Sequence, residues 1–275
     1  MPETEDLIEL ARTVRRDVIE MVCSAGSGHP GGSLSVVEIL VTLFFDRMRL
    51  DVERPHQEER DRFVLSKGHA CPALYSVLAR RGFFEPSELL TLRSLGSRLQ
   101  GHPDMRKLPF LEASTGSLGH GLGISVGLAR GLRLKGLDKR VYCLMGDGEL
   151  QEGSIWESAM TAAHHRLGNL VAVVDRNRVQ LDGRVETVMD VEPLRDKWLA
   201  FGWNVAEADG HDFDSLGEGF RRCESENSPG VLIAHTVKGK GVSFMEDTCL
   251  WHGACPDGDQ RKAALREIGG AENAR

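Results

Sequence analysis

A parallel α/β sheet covered on both faces by helices is the fold this sequence predicts, on three observations. Five short β-rich runs, 62–66, 141–145, 170–175, 203–206 and 231–236, are mostly apolar from end to end, as strands buried on both faces are. Helical periodicities fill the gaps, near 71–81, 86–95, 117–132, 153–166, 193–201 and 214–226. No Ser/Pro/Gly-rich linker, internal repeat or low-complexity stretch interrupts the chain, so residues 1–275 read as a single α/β domain.

The chain opens with Leu7, Ala11, Val14, Val18 and Val22 at helical spacing, and Gly26 ends that run. Ser35-Val36-Val37-Glu38 has the form of a capping box and opens an apolar stretch reaching Phe45. The 31 glycines cluster at 26–32, 116–127, 146–153 and 239–241, where a backbone turns at positive φ or lets a ligand come close. Such clusters predict several loops converging on one place. In a parallel sheet that place lies beyond the C-terminal strand ends.

Charge and hydropathy exclude several classes. Lysine and arginine number 34 against 41 acidic residues, and no long basic run occurs, which argues against a nucleic acid or an anionic membrane as partner. Apolar runs such as 170–174 fall far short of the ~20 residues of a membrane span. The acidic start, Met1 to Asp6, lacks the basic-then-apolar order of a secretion signal. Six scattered cysteines without a Cys-x-x-Cys pair read as reduced thiols, and a cytoplasmic location is the resulting expectation. The chain has no Gly-x-Gly-x-x-Gly after a strand, no phosphate loop of the Gly-x-x-x-x-Gly-Lys-Ser/Thr type and no His-Glu-x-x-His. Gly123-Ile124-Ser125-Val126-Gly127 copies a serine-hydrolase pattern, but no strand precedes it, so its small residues are read as close helix packing.

The strongest chemical signal begins at a strand end. The run 141–145 leads into Gly146-Asp147-Gly148-Glu149, and the run 170–175 stops just before Asn177. One strand–helix–strand unit separates Asp147 from Asn177, so both oxygen side chains emerge beyond neighbouring strand ends. A hard divalent cation takes oxygen ligands, and Mg²⁺ is commonly held by one or two protein groups plus phosphate oxygens and water. Glycines on both sides of Asp147 let a diphosphate approach the backbone. A short acidic turn accounts for Gly-Asp-Gly alone; the asparagine at crossover distance, followed by Leu181-Asp182-Gly183, favours a site.

From Gly146 to Gly183 the chain resembles the thiamin diphosphate motif of the transketolases. Further blocks resemble the same family in the same order: Ser27-Gly28-His29-Pro30-Gly31-Gly32, the stretch Asp61 to Ala70, Gly101-His102-Pro103, Thr115-Gly116-Ser117-Leu118-Gly119 and Trp251-His252-Gly253. The resemblance spans about residues 8–256 and covers the N-terminal, diphosphate-binding part of a full transketolase. It implies Mg²⁺ (or Ca²⁺ or Mn²⁺) on Asp147, Asn177 and the Val179 carbonyl. It implies thiamin diphosphate contacts from His69, Gly116, Ser117, Leu118, Gly146, Asp147, Gly148 and Asn177, with Lys238 as a cationic contact. His29, His69, His102 and His252 match histidines that ring the thiazolium carbon and the sugar's first hydroxyls. Glu152 resembles a carboxylate joining two active sites across a dimer.

Imidazole suits that ring because ketol transfer moves protons near neutral pH. Each of the four histidines sits beside a glycine in a predicted loop, where function concentrates. His56, His164, His165, His211 and His235 are read as surface or core residues, the adjacent His164 and His165 as pointing differently and so forming no paired site. His120 departs from the family, many members of which carry Gln in that slot. Transketolases take the glutamate that activates the aminopyrimidine from a second, pyrimidine-binding domain, for which the residues after Lys240 are too few. The resemblance therefore implies the N-terminal subunit of a split transketolase. It would act on sugar phosphates with a separate C-terminal subunit bearing that domain and glutamate, in an α2β2 assembly. Two alternatives stand beside it. A deoxyxylulose-phosphate-synthase-type thiamin enzyme is disfavoured by Gly101-His102-Pro103, and a non-catalytic regulatory subunit by Asp147, Asn177 and the histidines.

Overall fold

Side chains alternate between the two faces of a strand, so a strand apolar at every position needs cover on both sides. The structure, a computed structural model, describes residues 3–224 and 227–269. Its strands are β1 (Arg62–Leu65), β2 (Val141–Gly146), β3 (Leu170–Arg176), β4 (Asn204–Asp209) and β5 (Gly230–His235). They pair in parallel in the order β1-β2-β3-β5-β4. Tyr142, Leu144, Val171, Val173 and Leu232 enter one core, and Val141, Cys143, Met145, Ala172 and Val174 enter the other.

The helices are α1 (Thr4–Ala25), α2 (Pro30–Leu34), α3 (Val37–Val41), α4 (Cys71–Arg81), α5 (His120–Leu134), α6 (Gly153–His164), α7 (Val185–Val188), α8 (Leu194–Ala200), α9 (Phe213–Cys223) and α10 (Gly258–Gly269). The first core takes side chains from α1 to α4, α9 and α10, and the second from α5, α6 and α8. Every strand therefore points its carboxyl end toward the same rim. None of the described helices is long and apolar enough to cross a membrane.

Local chemistry moves several boundaries. Gly26 closes α1 in the left-handed region at φ 64°, its N–H on the Cys23 carbonyl, so the helix runs to Ala25. The expected capping box does not form. Ser35 instead donates its hydroxyl to Asp175 at 2.7 Å, and Glu38 turns to Arg15 and His211, because a buried carboxylate needs a cationic partner more than a helix end needs a cap. Beyond α3 the chain forms a π-helical turn, Thr42–Arg47. The helix expected near 86–95 is only a 3₁₀ turn, Pro86–Thr91, ended by the extended ψ of Leu92 and the left-handed Arg93. Gly119, at φ 82°, delays the helix expected from 117 until His120. β4 begins one residue late and runs on to Asp209, while Trp203 is buried with its indole N–H on the Ala159 carbonyl. The last two positions of the helix expected to 226 lie outside the described residues. α10 carries no strong apolar stripe, burying only Ala264 and Ile268, and was not expected; Arg261 ties it to Glu20 of α1.

Candidate active site

Strand register places the chemistry. β2 and β3 pair Gly146 with Asp175, so Asp147 and Asn177 leave adjacent strand ends. Asp147 is 2 % exposed. One of its oxygens accepts from the Gly148 N–H, the other from the Arg178 N–H and the Arg176 guanidinium, all within 2.8 Å. Burial and the nearby Asp175 push its carboxyl up, and Arg176 opposes them. The Asn177 amide oxygen accepts from the Val179 N–H, and the Val179 carbonyl accepts from the Lys238 ammonium at 2.8 Å. Lys238 also donates to His252 Nδ1 at 2.8 Å, and burial, then the charge of Lys67, lowers it to about 8.

These groups wall a cavity of about 270 Å³. Gly146, Asp147 and Gly148 come from the end of β2 and Asn177 and Val179 from the end of β3, and Lys238, His69, His252, Leu118 and Glu152 also line it, whereas His29, His102 and Gly116 do not. A larger hollow of about 510 Å³, beside Arg133, Arg140 and Asn169, opens at the other end of the strands, away from these residues.

The four loop histidines come together. The His29 ring centroid lies 5.5 Å from that of His69, 6.0 Å from His102 and 5.6 Å from His252, and His69 and His252 are 5.1 Å apart. Burial, then Arg93, lowers His29 to about 4; burial, then Lys238, lowers His252 to about 3. Burial and Lys67 take His69 well below its ordinary value, and burial and Arg93 lower His102. Burial and the neighbouring positive charges thus favour the neutral imidazole at all four. Gly116, at φ 142°, lies beneath His102: a Cβ there would sit 3.0 Å from the ring. Ser117 is exposed and is not among the residues lining the cavity, whereas Glu152 lines it and is exposed.

Ser125 is buried on α5 with its hydroxyl on the Gly121 carbonyl, as packing predicts. The rings of His164 and His165 lie 4.9 Å apart at 74° to each other at the end of α6. Sequence reasoning left three residues of the site without a role. Glu149 accepts from Ser66, Gly119 N–H and Gly146 N–H, joining three loops. Lys67 pairs with the fully buried Asp175, which also accepts from Ser35, Asn177 and Thr236. The signals were a Glu inside Gly146-Asp147-Gly148-Glu149 and a charge at the C-terminal end of each of two apolar strands, β1 and β3.

No cluster of three or more His, Cys, Asp or Glu able to hold a metal occurs among the described residues. A carboxylate, a carboxamide and a main-chain carbonyl are nonetheless the oxygen donors a hard cation takes. A Cβ on Gly146 would meet nothing nearer than 4.0 Å, so the backbone there is open to a bulky anion. The donor set and the glycine-lined wall fit a metal–diphosphate group.

Fold and site together define a parallel α/β domain with a glycine-lined cavity at its strand ends, beside a cluster of histidines. The family described as transketolase, thiamine diphosphate binding domain, matches residues 6–275, and the chain belongs to it. It is 45 % identical over 255 residues to an apulose-4-phosphate transketolase subunit from Phocaeicola vulgatus, covering 92 % of this chain and 90 % of that one. It is 42 % identical to the 6-deoxy-6-sulfo-D-fructose transketolase subunit SqwG of Clostridium sp., covering 96 % of each. The transketolase structure from Campylobacter jejuni superposes with a TM-score of 0.92 at 31 % identity, over 98 % of this chain but 43 % of that one. The chain thus spans less than half of the full-length transketolases it matches.

Proposed function

We propose that this chain is the diphosphate-binding subunit of a two-subunit transketolase. It works with a separate C-terminal subunit carrying the pyrimidine-binding domain and its glutamate, and moves a two-carbon ketol unit from a ketose phosphate to an aldehyde acceptor. One observation carries the reading: an oxygen donor set, a buried lysine and neutral imidazoles converge on one cavity at the strand ends. Two relatives named as separate subunits match it over nearly their whole length, which supports the split arrangement. Their names carry a phosphate and a sulfo group, which supports a donor with an anionic terminus.

In this reading Asp147, Asn177 and the Val179 carbonyl hold Mg²⁺, with Ca²⁺ or Mn²⁺ as substitutes. Leu118, Gly146 and Gly148 border the thiamin diphosphate, Gly116 and Ser117 keep that role on the family resemblance alone, and Lys238 balances its charge. When bound, that cofactor supplies a thiazolium that accepts an electron pair as a carbon–carbon bond breaks. This chain's residues orient the sugar and handle protons. His29 and His252, whose Nδ1 atoms accept from Arg93 and Lys238, donate their Nε2–H to sugar oxygens, while His69 and His102 offer the free ring nitrogens that accept from sugar hydroxyls and take the proton released at a hydroxyl oxygen. Their closeness keeps any imidazolium short-lived, because each neighbour and Lys238 disfavour a second positive charge. Glu152 joins two sites across an α2β2 assembly, and the enzyme serves cytoplasmic carbohydrate metabolism.

Reconstitution tests the reading. With a pyrimidine-domain subunit, thiamin diphosphate, Mg²⁺, a ketose phosphate and an aldose, turnover is expected only when both subunits are present. Appreciable turnover by this chain alone refutes the split arrangement. A requirement for pyruvate with CO₂ release identifies the synthase-type enzyme instead, and absence of cofactor binding with and without partner identifies a non-catalytic subunit.

A further inference from the structure

Lys238 reaches the cavity from the loop 237–241, and that loop is gripped on both sides of the lysine from outside the site. The Val237 N–H donates to His211 Nε2 at 2.8 Å. A main-chain N–H is a donor only, so His211 is the tautomer with its proton on Nδ1, which donates to Glu38 at 3.0 Å. Glu38 is clamped by the Arg15 guanidinium, its Oε1 on Nη1 at 2.6 Å and its Oε2 on Nη2 at 2.8 Å. Arg15 Nε then donates to the Lys240 carbonyl at 3.0 Å. The chain of bonds leaves the loop before Lys238 and returns to it two residues after, through α1, α3 and the turn following β4.

The loop is shaped to receive this grip. Gly239 and Gly241 take φ 80° and 92°, and a Cβ on Gly241 would sit 3.0 Å from the Arg15 side chain. Glu38 and Arg15 are under 10 % exposed and His211 13 %, so water competes weakly for these bonds. A network serving only to join helices would end on helices. This one ends on two peptide groups of a glycine-rich loop whose side chain at 238 spans the Val179 carbonyl and His252.

We propose that His211, with Glu38 and Arg15, is a positioning residue that holds Lys238 against the metal–diphosphate site, an inference resting on the diphosphate-binding reading above. Its loss lets the 237–241 loop move, and displaced second-layer contacts of this kind weaken a bound ion or cofactor about 10- to 100-fold.

Two measurements on the full 275-residue chain test it, using His211→Phe, His211→Gln and, in case the first fails to fold, Arg15→Lys. Amide exchange in the peptide spanning 237–241 is expected to quicken about tenfold or more in His211→Phe and Arg15→Lys, with β4, β5 and α9 unchanged. Thiamin diphosphate with Mg²⁺, followed by calorimetry, is expected to bind about 10- to 100-fold more weakly, and His211→Gln, which keeps an acceptor and a donor, to recover most of both effects. Exchange that rises evenly through β4, β5 and α9, or folded variants that bind with wild-type affinity, would overturn the proposal. A wild-type chain that binds no thiamin diphosphate defeats the reading of the site instead, and the exchange pattern still decides whether the clamp exists.

Discussion

Glu149→Gln is the substitution whose effect follows most directly from the geometry. Glu149 is 3 % exposed, and its carboxyl gathers the Ser66 hydroxyl after β1, the Gly119 N–H at 2.9 Å before α5 and the Gly146 N–H at 3.1 Å at the end of β2. Burial pushes this carboxyl up, and the donors pull it back toward the ionised form. Glutamine keeps one acceptor and turns an NH₂ toward an N–H or hydroxyl that has nowhere else to go. Losing a charge-assisted bond costs about 1.5–3 kcal/mol, and an unpaired buried donor about 1–3 kcal/mol. With relaxation, roughly 3 kcal/mol remains. At ~2–4 °C per kcal/mol for a chain of this size, the midpoint falls by about 6–12 °C. Scanning calorimetry of both proteins at pH 7 reads this directly. A midpoint within about 2 °C of wild type would mean that glutamine is a near-isostere of an already protonated carboxyl, and the argument from three donors to an anion would fail.

Asp147→Ala is expected to abolish Mg²⁺-dependent retention of thiamin diphosphate, whereas His102→Ala leaves binding nearly intact and lowers turnover of the reconstituted enzyme about 10²-fold or more; equal loss of affinity in both would show the roles are misassigned. Burial alone would raise Glu38, but His211 and Arg15 hold it down to about 2 from 4.5. Its contribution is complete above pH 4.5 and is lost as pH falls through about 2, roughly 3 kcal/mol at ~1.4 kcal/mol per pH unit. Acid-unfolding curves of wild type and Glu38→Gln should therefore converge over that range, and parallel curves would contradict it. A Cβ on Gly121 would lie 2.3 Å from the Ser66 hydroxyl in a closed core, so Gly121→Ala should destabilise by about 1–3 kcal/mol in urea melts, against no change if the helix slides freely.

The sheet was legible because β2, β3 and β5 are apolar through most of their length, as strands of a doubly covered parallel sheet are, and the glycine clusters marked where its loops converge. Asp147, Asn177 and the four loop histidines were legible for the same reason: they stand at strand ends or beside glycines, in an order that resembles one family. Glu38 misled, because Ser35-Val36-Val37-Glu38 spells a helix cap and nothing nearby in the chain announces Arg15 or His211. α10 gave little signal, since a helix that buries two side chains has almost no periodic stripe.

By itself, then, the chain determined its layers, its rim and the identity of the groups placed there, since those follow from local periodicity and from residues fixed to strand termini. Tertiary structure alone decided which charges meet. Lys67 finds Asp175, Lys238 finds Val179 and His252, and His211 finds Val237 across separations no local pattern encodes. The physical reason is that a buried charge is tolerable only beside a partner, and that partner is supplied by whichever strand or helix the packing brings near.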